Sequence, residues 1–129
     1  MSYRLTVHER KGYLHAVVTG PNSLRAVKDY LQETARECVA RGHKRLLIEE
    51  RLEGPRLGIL DVFEIVTHGI PEARKVLEVI AYVDVHSEGT LMRMAGSLAS
   101  QMGLSVRLFS TVEEAAHWLR AEPGGASGT

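Results

Sequence analysis

The sequence predicts a single α/β domain in the order ββαβαβαβα, with a mostly parallel sheet and an antiparallel strand at its N-terminal edge. Three observations predict it. Short apolar runs such as Leu46-Leu47-Ile48 alternate with longer segments of helical period. Glycines and cap residues punctuate the boundaries, among them Gly42, Gly103 and Thr111. The opening segment, by contrast, alternates residue by residue and turns at Lys11-Gly12, the mark of a hairpin.

The first strand, 3–9, points Tyr3, Leu5 and Val7 one way and Arg4, Thr6 and His8 the other. The second, 13–19, returns beside it, and Gly20-Pro21 ends the pairing. Asn22 or Ser23 can then cap a helix over 24–41 whose apolar stripe is Leu24, Val27, Leu31, Ala35, Cys38 and Val39, with Gly42 as its stop. A buried strand follows at 44–50. After a loop through Gly54-Pro55, residues 58 to about 69 read as a second helix, and 77–83 as a central strand. Ser87 can cap a third helix running to Met102, its inner face formed by Leu91, Met94, Ala95, Leu98 and Met102. The last strand is 104–109. Thr111-Val112-Glu113-Glu114 is a capping box for a final helix with Val112, Ala115, Ala116 and Leu119 facing inward. Residues 122–129, rich in Gly, Ser and Pro, have nothing to bury and are expected to be disordered; the domain is 3–121.

Composition narrows the function classes. The 129 residues suit one hydrophobic core, with 44% apolar and 25% charged residues in the ordinary globular range. Sixteen basic residues balance sixteen acidic ones, so no electrostatic case exists for nucleic acid or an anionic membrane. No window approaches the roughly 18 apolar residues of a membrane span. The single cysteine, Cys38, allows no internal disulfide and suits a reducing cytoplasm. No cofactor motif is present.

The order and lengths of these elements resemble the STAS domain, the SpoIIAA-like fold of sulfate transporters and anti-sigma-factor antagonists. The marks are Arg45-Leu46-Leu47-Ile48 and the closing segment from Val106 through Phe109, Thr111 and Trp118 to Leu119. The block 47–57 with Leu60-Asp61-Val62-Phe63 is similar to a bacterial STAS-like branch of uncharacterised proteins. The resemblance implies a small cytoplasmic interaction module. It departs from the antagonists at one point. They carry a phosphorylated Ser or Thr at the start of the helix after the third strand, whereas 49–66 here contains neither, and Gly58 stands near that position. The phospho-switch is therefore not expected.

The candidate sites cluster around that helix. On a helical projection Ile59, Leu60, Val62, Phe63, Ile65, Val66 and Ile70 cover an arc of about 220°, against somewhat over 100° for an ordinary surface helix. The surplus suits a partner, a second copy of the chain in a homodimer, or a ligand. The expected docking edge is the loop 51–57 and the start of the helix, with Arg51 and Arg56 for charge and Leu57, Leu60 and Phe63 for buried area. The alternative, prompted by the likeness of this fold to lipid-transfer CRAL-TRIO domains, is a carrier of a small lipophilic molecule. Its pocket between the second and third helices would use Phe63, Val66, Met92 and Met94.

Two chemical readings are weaker. Asp61, Glu64 and His68 share a stripe about 60° wide and are suitable metal ligands, yet they also make an ordinary polar face. Glu49, Glu50, Asp84, His86 and Ser110 could meet at the carboxyl ends of the strands. Arg51 and Arg56 are placed to neutralise those acids, and no nucleophile stands beside them, so the expectation is non-enzymatic. Cys38, on an inner stripe, reads as packing.

Overall fold

The computed structural model describes residues 3–84 and 90–121. Nine elements follow in order: β1 (Arg4–Arg10), β2 (Tyr13–Pro21), α1 (Leu24–Arg41), β3 (Arg45–Glu53), α2 (Ile59–Ala73), β4 (Val79–Asp84), α3 (Thr90–Gln101), β5 (Ser105–Phe109) and α4 (Val112–Ala121). They form one five-stranded sheet, ordered β1-β2-β3-β4-β5, with β1 antiparallel to β2 and every other pair parallel. The expected fold class and element order hold. The Ser87 cap, His86 and the 122–129 tail lie outside the described residues.

Strand order dictates which face each helix covers. From β2 to β5 the chain steps one strand at a time in the same direction, so crossovers of one hand put α1, α2 and α3 on the same face. That face buries Leu14, Ala16, Val18, Leu46, Ile48 and Ile80. Among the described elements α4 alone covers the other, where Ala115, Ala116 and Leu119 close over Leu47, Val79, Ala81 and Val83.

The caps work as expected at two helices. The Ser23 hydroxyl accepts from Ala26 N at 3.0 Å, and the Thr111 hydroxyl from Glu114 N at 3.1 Å, each satisfying a first-turn donor. Gly42, at φ 77°, ends α1 in the left-handed region, and His43 N reaches back to Cys38 O at 2.8 Å. Asn22 does other work: its side-chain amide donates to Pro55 O at 2.7 Å and its backbone N to Glu53 O at 2.7 Å, tying the start of α1 to the loop after β3.

Several expected details are corrected. Strand β3 runs on to Glu53 because β2 is long enough to pair with it as far as Pro21; Arg51 therefore lies on a strand and not in the loop. Helix α2 continues past Gly69 to Ala73, with Pro71 inside its last turn, where the ring removes one backbone donor from the ladder. The buried stripe of α1 is rotated: Tyr30 and Thr34 are fully enclosed while Val39 faces solvent. On α3 the sheet-facing residue is Ala99, and Met94 points outward at 54% exposure. Gly96 explains that rotation, since a Cβ there would stand 3.0 Å from Val106 O: the helix backbone lies directly on β5.

Candidate functional site

Helix α2 is held mainly by its neighbours α1 and α3, and less by the strands beneath it. Its buried side chains are only Val62 and Val66. Beneath it, between the three helices and the sheet, lies a chamber of about 1260 Å³. Its walls are mostly aliphatic: Val27 and Leu31 from α1, Val62, Ile65 and Val66 from α2, Met92 and Ala95 from α3. The floor is Leu46, Ile48, Ile80 and Leu108. Lys28 on α1 and Glu64 on α2, both lining the chamber, form an ion pair that straps the two helices together.

One corner of the chamber is polar. Glu50 and Asp84 are register partners on β3 and β4, so their side chains leave the same face of the sheet side by side. Arg56, from the loop after β3, turns inward and donates from Nη2 to Asp84 Oδ2 at 2.9 Å and Glu50 Oε1 at 3.3 Å; its Nη1 donates to Leu52 O at 3.3 Å. Behind Glu50 stand two buried tyrosines. The Tyr82 hydroxyl donates to Glu50 Oε2 at 2.6 Å, the Tyr30 hydroxyl donates to the same oxygen, and the two hydroxyls touch each other. Glu50, 4% exposed, has its carboxyl pushed above the ordinary range by burial; Asp84 adds to the rise, and the tyrosine hydrogen bonds oppose it.

The neighbouring acid has a different fate. Glu49 is one residue away and so faces the opposite side of the sheet, where His15 Nε2 lies 2.9 Å from Oε1 and Arg51 Nε donates to Oε2 at 2.7 Å. Burial would raise its carboxyl, but the hydrogen bonds from Arg51 and His15 outweigh that and hold it below the ordinary range. Burial likewise keeps His15 below its ordinary value, against the pull of Glu49. The expected neutralisation by Arg51 and Arg56 is thus present. The expected shared rim is not: Glu49 and Glu50 are separated by the sheet, and Ser110 is exposed beyond β5.

The remaining candidates divide. Val66 and Met92 line the chamber, whereas Phe63 and Met94 do not. Those two form, with Ile59 and Leu98, a groove of about 570 Å³ on the outer side of α2 and α3. Leu60 is 80% exposed and Phe63 57%, while Leu57 is half-buried against the core. Asp61, Glu64 and His68 do not converge: Glu64 is taken by Lys28, and His68 Nδ1 lies 3.2 Å from the carbonyl of Glu64. Among the described residues no three His, Cys, Asp or Glu side chains come together in the manner of a metal site. Cys38 is fully buried and its thiol is pushed up to about 12, first by burial and then by Glu37, so it stays protonated and unreactive. No described helix is long and apolar enough to cross a membrane.

Tyr30 and Tyr82 were not picked out from the sequence as site residues. Their signal was faint but physical: a tyrosine on a core-facing stripe must find a partner for its hydroxyl, and Glu50 is the acid on a buried run that could supply it.

No protein-family model matches the chain, and no curated protein matches it significantly. Among solved structures it is similar to the crystal structure of an uncharacterized protein from the DUF3478 family with a SpoIIAA-like fold, from Shewanella loihica PV-4. The identity is 18% and the TM-score 0.51, over 92% of this chain and 93% of that one. The fold is SpoIIAA-like. The STAS-like architecture expected from the sequence is therefore present, and at that identity the likeness carries fold alone.

Proposed function

We propose that this SpoIIAA-like chain is a non-enzymatic binding module whose chamber under α2 takes a small, largely apolar molecule. The observation that carries the reading is the chamber itself: about 1260 Å³ with a mainly aliphatic floor and walls. Glu50, Arg56 and Asp84 form a polar cluster at one corner, and charged residues of α1 and α2 such as Lys28 and Glu64 run along its α1–α2 side. Ligand sites have this form, a concave apolar body with a few convergent polar groups that orient the guest. Of the sequence-based candidates, Val66 and Met92 would contact the apolar part and Arg56 the polar part. The absence of catalysis rests on the chemistry of the acids. Glu50 and Asp84 are engaged by Arg56 and the tyrosines, Glu49 lies across the sheet, and the Cys38 thiol is enclosed.

The test is binding of Nile red, an uncharged apolar dye, followed by fluorescence. One dye per chain, with a blue-shifted emission that Val66→Phe abolishes while the fold is retained by circular dichroism, supports the reading. Emission unchanged in folded Val66→Phe, or no binding at all, overturns it.

A second reading is favoured by a separate observation. Ile59, Leu60, Phe63 and Met94 expose large apolar surface around the outer groove, which suits a protein partner or a second copy of the chain. Leu57 is half-buried against the core and Arg51 is bonded to Glu49 on the opposite face of the sheet, so neither lines this groove. Native mass spectrometry separates the two readings, since it reports chain count and retained small molecules in one spectrum.

A further inference from the structure

We propose that the Lys28–Glu64 ion pair is a strap across the mouth of the chamber, and that its release admits the apolar guest. The inference rests on the chamber reading above and concerns how the chamber is entered.

The chamber opens along the seam between α1 and α2. Its lining runs from the sheet floor at Leu46 and Ile48 up to exposed residues of both helices, Gln32 and Arg36 on α1 and His68 and Glu72 on α2. Lys28 and Glu64 stand on opposite sides of that seam, their side chains 40% and 41% exposed, and their ion pair crosses it. Among the described residues it is the only hydrogen bond or ion pair that joins α2 to either neighbouring helix. The other charged groups along the mouth bond within their own segment. Arg25 pairs with Asp29 and Arg36 with Gln32 along α1, and Glu72 pairs with Lys75 where α2 ends.

The ends of α2 are fixed more firmly than its middle. Asn22 donates to Pro55 O at 2.7 Å and Arg56 to Leu52 O at 3.3 Å, which pins the loop entering the helix. Leu77 N donates to Ala73 O at 2.8 Å in the turn leaving it. Between those points α2 buries only Val62 and Val66, and no side chain caps its start at Gly58. An element held in this way opens locally at far less cost than global unfolding. An ion pair between groups this exposed is screened by water, so it shifts the closing equilibrium only a few-fold. The strap therefore sets how often the seam opens without locking it, and salt loosens it.

The experiment is stopped-flow mixing of the whole chain with Nile red at pH 7, in about 20 mM and about 500 mM sodium chloride. Entry into the wild type is expected to be about two- to fivefold faster at high salt, the range an exposed ion pair can set. Lys28→Met is expected to take up dye at the faster rate at both salt concentrations and to release it faster by a similar factor. Its Kd then moves less than either rate, which is the mark of a gate. Loss of a contact with the guest would instead change Kd chiefly through the release rate. The exchanged pair, Lys28→Glu with Glu64→Lys, is expected to restore slow, salt-sensitive entry.

A wild-type entry rate that is indifferent to salt, or equal at low salt to that of Lys28→Met, overturns the strap while leaving the chamber reading intact. An exchanged pair that folds and stays fast overturns it too. No dye binding to the wild type brings down both. If Lys28→Met does not fold by circular dichroism, Glu64→Gln takes its place; if neither folds, the wild-type salt dependence decides alone.

Discussion

Arg56 shows how one side chain can hold both structure and site. It bridges two acids that sit together only because Glu50 and Asp84 are register partners. Replacing it with alanine removes the guanidinium that bridges the two acids. Breaking a buried ion pair costs several kcal/mol, but Arg56 is more than a third exposed, so solvent screening reduces the expected loss to about 1–2 kcal/mol. Urea denaturation at pH 7 measures it. His15 carries a pH prediction of definite sign. The folded state holds it below its ordinary 6.5, so the unfolded chain takes up a proton first as pH falls. Its contribution is fully present above that value and is lost progressively below it. Glu49, held below its ordinary 4.5, adds a further loss only as pH falls beneath that figure. Glu50 acts oppositely: raised above 4.5, it favours the fold at low pH, and that contribution is lost as pH rises through its folded value. Between pH 7 and 5, the stability difference between wild type and His15→Gln should therefore shrink towards acid. A difference that is constant over that window would refute the assignment.

Helices α2 and α3 contribute through what they fail to cover. A helix with apolar residues over most of its girth cannot bury all of them against one sheet face, and α2 resolves this by leaning on α1 and α3. Its inner side roofs the chamber, and its outer side leaves Leu60 and Phe63 in solvent. Changing both to serine should alter monomer stability by no more than about 0.5 kcal/mol each, the usual range for exposed positions. If the outer groove is an interface, the same change should convert a dimer to a monomer by analytical ultracentrifugation. Helix α3 makes the opposite bargain. Gly96 lets its backbone lie on β5, and Gly96→Ala would place a methyl 3.0 Å from a backbone oxygen that has no flexible side chain to yield. Alanine gains about 1 kcal/mol of helix propensity over glycine, while overpacking typically costs 1–3. The expected net loss is about 1 kcal/mol, read as a lower denaturation midpoint.

The molecule as a whole is asymmetric. Three helices crowd one sheet face and one covers the other, because strands β2 to β5 are added in a single direction. The crowded face is where the chamber forms. If the chamber is open space, a larger side chain on its wall should gain packing contacts: Val66→Phe is expected to raise stability by about 0.5–2 kcal/mol while removing Nile red binding. A thermal midpoint that rises as dye binding disappears would connect space to function. A midpoint that falls would mean the wall is already tightly packed.

Much of this architecture was legible before any coordinate. The periodicities of 2 and 3.6, the Ser23 and Thr111 caps and the Gly42 stop placed the elements, because each depends on residues close in the chain. The excess apolar arc of α2 was legible for the same reason, and so was the missing hydroxyl in 49–66. Long-range packing settled the rest. Nothing local says that β3 runs to Glu53, since its last residues are held by β2. Nothing local says that Glu49 and Glu50, adjacent in sequence, belong to different faces with opposite shifts in acidity. Nor does a local pattern bring Tyr30 from α1 and Tyr82 and Asp84 from β4 onto one carboxylate of β3. Local periodicity states how much apolar surface a helix carries; only the arrangement of α1, α2 and α3 over the sheet divides it into chamber roof and exposed groove.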